Sequence, residues 1–74
     1  MSMSRKDYRV IAEAIAKSLA QTETVDETQR AEALASIALV ARNISEQLKA
    51  DNSAFRYDYF FAACGLDKWG EAAA

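Results

Sequence analysis

Proline is absent from this 74-residue chain, and glycine occurs only at Gly65 and Gly70. Tight hairpins draw on these residues, so a β-rich fold has little to turn with, whereas long helices meet no breaker. Histidine is also absent, and Cys64 is the single cysteine. That excludes an intramolecular disulfide and leaves no ligand set for a Cys/His zinc site. A lone thiol fits a reducing compartment. No apolar run approaches the ~20 residues that a membrane span needs. The start, Met-Ser-Met-Ser-Arg-Lys, leads into a patterned helix rather than the apolar block of a signal peptide. A dominant charge is missing as well: nine basic residues stand against eleven acidic ones, a net charge of −2. That balance argues against a disordered tail. With a pI near 5.0 it also argues against a dedicated nucleic-acid binder. No phosphate-binding glycine loop, nucleophile triad or metal-ligand spacing occurs. The sequence therefore assigns no catalytic, cofactor-binding or metal residue, and enzymatic activity is not expected.

What the chain does have is aromatic surface in one place. Five of the seven residues from Phe55 to Phe61 are aromatic. Aromatic side chains carry the largest apolar areas and dominate both cores and interfaces. The chain is long enough for one domain, residues 1–74, which buries about 60% of its unfolded surface. Such a core supplies no more than about 3–5 kcal/mol, so oligomerisation or a partner is the open route to more.

The pattern predicts an all-α fold of three helices. Ser4-Arg-Lys-Asp7 resembles a capping box, and Tyr8, Ile11, Ile15 and Leu19 recur at helical spacing over residues 5–20. Lys6, Arg9, Glu13 and Lys17 take the opposite face, with Glu13 and Lys17 oriented for a helix pair. After a polar link at 21–24, Thr24 or Asp26 offers a cap for a long second helix over 26–50. Its stripe is Leu34, Ile37, Ala41, Ile44 and Leu48. Asp51-Asn-Ser53 breaks it, because these side chains compete for backbone hydrogen bonds. A short third helix spans Tyr57–Cys64, with Gly65 as left-handed cap and Leu66 turned back onto Phe61. The predicted core is Tyr8, Ile11, Ile15, Leu19, Leu34, Ile37, Ala41, Ile44, Leu48, Phe55, Phe60 and Phe61. From about residue 67 the tail is expected to fray, with Trp69 as its one anchor candidate.

Helix two carries more apolar surface than one face hides. Leu39 points away from the stripe, Val40 sits at its edge, and Arg42 bridges the two sides. Leu39, Val40 and Arg42 are therefore interface candidates, Leu39 and Val40 for a homodimer contact. Arg56 and Tyr59 project from the aromatic segment as candidate contact residues, because Tyr and Arg are enriched at binding hot spots. Trp69 joins them as an interface candidate. Cys64 lies at a helix C-terminus, the wrong end of the dipole for thiolate activation, and reads as a buried structural thiol.

Ser4-Arg-Lys-Asp-Tyr8 with Ile11-Ala12, then Ala50-Asp-Asn52, Phe55 and Phe61-Ala-Ala-Cys-Gly65, resembles a set of small uncharacterised proteins of phages and mobile elements, especially of actinobacteria. Where those often carry Asn-Pro after the Ala-Asp, this chain has Asn52-Ser53. The resemblance implies a phage or prophage accessory gene expressed in a bacterial cytoplasm, and it transfers no activity. The resulting expectation is a non-enzymatic protein that binds a host or phage protein. The alternative is a small helix-turn-helix regulator of DNA. Glu13 interrupts the Lys6–Arg9–Lys17 face that the alternative would use.

Overall fold

A computed structural model describes residues 4–72. Its elements are α1 (Arg5–Gln21), a single 3-10 turn at Thr22–Thr24, α2 (Glu27–Asp51) and α3 (Tyr57–Cys64), with no strand among the described residues. The fold is all-α, as the periodicity predicts, and each helix begins and ends within one residue of its expected bounds.

Local chemistry sets the ends. The Ser4 and Asp7 pair closes a capping box: the Ser4 amide donates to the Asp7 carboxylate at 2.9 Å, and the Asp7 amide to Ser4 Oγ at 3.4 Å. Asp26 caps α2 by accepting the Thr28 amide at 3.3 Å. Gly65 is left-handed (φ 84°), and the Leu66 amide donates to the Phe61 carbonyl at 2.9 Å, the bond of a Schellman ending. No basic residue of α1 lies in its own last turn. Arg30 of α2 supplies the charge instead, donating to the carbonyls of Thr22 (3.3 Å) and Glu23 (3.1 Å).

The chain runs up, down and up. Arg30 ties the start of α2 to the end of α1, and Asn52 Nδ2 donates to the Tyr8 hydroxyl at 3.1 Å, tying the end of α2 to the start of α1. At ~1.5 Å per residue, the 25 residues of α2 account for most of the 41 Å long axis. α2 packs on both other helices, while the most extensive contact is between α1 and α3.

The core is smaller-grained than the sequence suggests. Small residues fill its centre: Ala12, Ala38, Ala41, Ser45 and Cys64 are essentially inaccessible. Ile15, Leu48, Phe55, Phe60, Phe61 and Leu66 surround them, and Tyr8, Ile11, Leu19, Ile37 and Ile44 pack at the margin. Leu34 is a correction: it is half-exposed and lies outside this cluster. Ala38, one turn further on, takes the seam because a small side chain lets the helix axes approach. Phe55 is the hub of the aromatic cluster, edge-on to Tyr8 (5.1 Å) and Tyr57 (5.5 Å) and tilted against Phe60 (5.5 Å). Each such pair adds about 0.5–1.5 kcal/mol beyond burial. Glu13 and Lys17 do not close their expected pair; Arg56–Asp58 is the one salt bridge among the described residues.

The tail also differs from expectation. Asp67 Oδ1 accepts the amides of Trp69 and Glu71, both at 2.9 Å, and the Gly70 amide donates to the Asp67 carbonyl at 2.9 Å. This closed turn is buried at Gly70 and packs Ala72 on the core, so residues 67–72 are built into the fold. Its anchor is Gly70, not Trp69. Ala73 and Ala74 lie outside the described residues.

Candidate interaction surface

An open groove of about 730 Å³ runs between α1 and α3. On α1, Arg5, Arg9 and Ala12 follow helical spacing and face it; across from them stand Arg56, at the N-cap of α3, and Tyr59 and Ala63 on α3. Ala12 is nearly inaccessible, and its small side chain lets α3 come close. The floor is aromatic, made of Tyr8, Phe55 and Phe60, and Asn52 closes one end. Asn52 is held there by the turn that ends α2, where its Oδ1 accepts the Ala54 amide at 3.0 Å.

The electrostatics of the rim are uneven. Arg56 meets Asp58 with two parallel hydrogen bonds, 3.2 and 3.0 Å, and its guanidinium lies 4.6 Å from the centre of the Tyr59 ring. The hydrogen bond from Arg56 holds the Asp58 carboxyl below the usual carboxylate range, and the same bond raises Arg56. Arg5 and Arg9 are exposed, and among the described residues neither guanidinium donates a hydrogen bond or forms an ion pair. Tyr59 is 66% exposed, an aromatic plane open to solvent beside these charges.

The candidates named from sequence fall in different places. Arg56 and Tyr59 come together on the groove. Leu39 and Val40 are 50% and 53% exposed. They lie about 100° apart around α2, with Leu39 pointing away from the buried stripe and Val40 at its edge. Arg42 is half-buried and engaged within the chain: its Nη1 donates to the Gly70 carbonyl at 2.8 Å. It borders a smaller cleft of about 260 Å³ shared with Leu34, Ala35, Ala38 and Ala72. Trp69 is 66% exposed, with Lys68 Nζ 4.5 Å from its ring centre. Arg5 and Asn52 are not contact candidates in the sequence reading, and Arg9 enters it only on the Lys6–Arg9–Lys17 face of the DNA-binding alternative. The i, i+4 spacing of the two arginines is visible there, but which helix they face is set by the α1–α3 pairing.

Cys64 is buried and reduced, and burial pushes its thiol up to about 11. Among the described residues no three Cys, Asp or Glu side chains gather as metal ligands, and no helix is long and apolar enough to cross a membrane. No family model, curated protein or solved structure matches the chain.

Proposed function

We propose that this chain is a non-enzymatic interaction module, a phage- or prophage-encoded accessory protein that binds a host or phage protein in the bacterial cytoplasm. The observation that carries the reading is the α1–α3 groove: the open Tyr59 ring and half-buried Tyr8 beside Arg5 and Arg9, whose guanidinia have no partner among the described residues. Exposed Tyr and Arg around an apolar floor are the composition of a binding hot spot. The groove holds no His, Cys or paired carboxylate positioned for proton transfer or nucleophilic attack. The helix-turn-helix alternative has weaker support. α3 would be the reading helix, yet its exposed side chains are Tyr57, Asp58, Tyr59, Ala62 and Ala63, and the base-reading donor at its start, Arg56 at the N-cap, is paired with Asp58.

The same module is proposed to self-associate through α2, where Leu39 and Val40 are exposed. A photo-crosslinking residue at Tyr59 tests the main reading in a bacterial host lysate. A discrete protein adduct, lost when the crosslinker is moved to the far side of α1 at Lys17, is the expected result. Adducts of equal intensity from both positions, or none from Tyr59, overturn it.

A further inference from the structure

We infer that the α1–α3 groove seats an acidic, partly apolar peptide segment of the partner protein, gripped by Arg5, Arg9 and Arg56. The inference rests on the interaction reading above and adds the partner's chemistry. Arg5 and Arg9 stand one turn apart, about 6 Å along α1. Their planar forks match carboxylates, and such pairs strengthen once a ligand excludes water. The aromatic surface open beside them, Tyr59 and half-buried Tyr8, suits an apolar side chain between those carboxylates.

Arg56 gives an independent argument. It occupies the N-cap of α3, where no side chain caps the helix. Ser, Thr, Asp or Asn would satisfy an amide there. An arginine forgoes that bond and places a guanidinium over Tyr59 at the groove mouth. A nucleic-acid backbone fits less well. The groove offers three guanidinia, one of them already paired with Asp58, and a continuous polyanion engages many more cations.

The test is selection of a random peptide library on the full chain, followed by amide NMR mapping of an enriched peptide. Enriched sequences are expected to be rich in Asp and Glu around one apolar residue and to shift Arg9, Tyr59 and Ala63. Arg5→Glu with Arg9→Glu, both exposed and away from the core, should weaken binding about tenfold or more without lowering the melting temperature. Arg56→Ser should weaken binding while raising the melting temperature, a combination that mere loss of structure does not produce. Enrichment of basic or uncharged peptides overturns the inference, as does no enrichment, or tighter binding of single-stranded or duplex DNA at the same amides. Self-association abolished by the double reversal puts a second copy in the groove and also overturns it. A Tyr59 adduct that survives the double reversal leaves the interaction reading standing and removes only the acidic occupant.

Discussion

Three small residues beyond the aromatic segment make sharp reporters. Cys64 has no exposed surface, and burial raises its thiol from 9.0 to about 11. The unfolded chain therefore loses this proton first as pH rises. Stability from the thiol is complete below about 9 and is lost progressively between about 9 and 11, a total of about 2–3 kcal/mol. Denaturation midpoints across that window should fall more steeply for the wild type than for Cys64→Ala; parallel slopes would contradict the burial. The two glycines separate backbone from packing effects. Both have positive φ, but a Cβ at Gly65 meets nothing, whereas at Gly70 it lies 2.8 Å from both Arg42 Cγ and Phe61 Cζ. Gly65→Ala should cost about 1–2 kcal/mol, and Gly70→Ala roughly 1–3 kcal/mol more, by equilibrium unfolding.

At the scale of elements, α3 is too short to persist alone, with eight residues against the ~12–15 that an isolated helix needs. Packing holds it, and its uncapped start leaves stability unrealised. Arg56→Ser should raise stability by about 0.5–1 kcal/mol in chemical denaturation, and no gain would mean that the first-turn amides are already satisfied. The helices were legible in the sequence because caps and periodicity are local: the Ser4–Asp7 box, Asp26, the Asn52 break and the Gly65 ending all stand where their chemistry implies. Features set by fit between elements were not legible. Hydropathy ranks Leu34 above Ala38 and Trp69 above Gly70, yet closeness of approach favours the smaller residue in both places. The groove was half legible, through Arg56 and Tyr59; Arg5 and Arg9 joined them only when α1 paired with α3.

The whole molecule is a slender rod, 41 × 19 × 16 Å, with little interior for its surface. Mass action from a partner or a second copy is its route to added stability. If α2 carries a homodimer, Leu39→Glu should shift the species toward monomer in light scattering and lower the melting temperature. If Leu39 is merely exposed, stability should change by no more than about 0.5 kcal/mol.

The turn that carries Trp69 has an optical consequence. The only indole of the chain already faces water in the native fold, so unfolding changes its surroundings little. Tryptophan emission should peak near its denatured wavelength in native buffer and move scarcely at all through a transition that far-UV circular dichroism records in full. A clearly blue-shifted native emission would place the indole under cover. The silence of the indole is also useful: with a solvent-level baseline, a blue shift on adding a partner marks the turn at 67–72 as part of the contact, and an unchanged spectrum during binding at the groove marks it as a bystander.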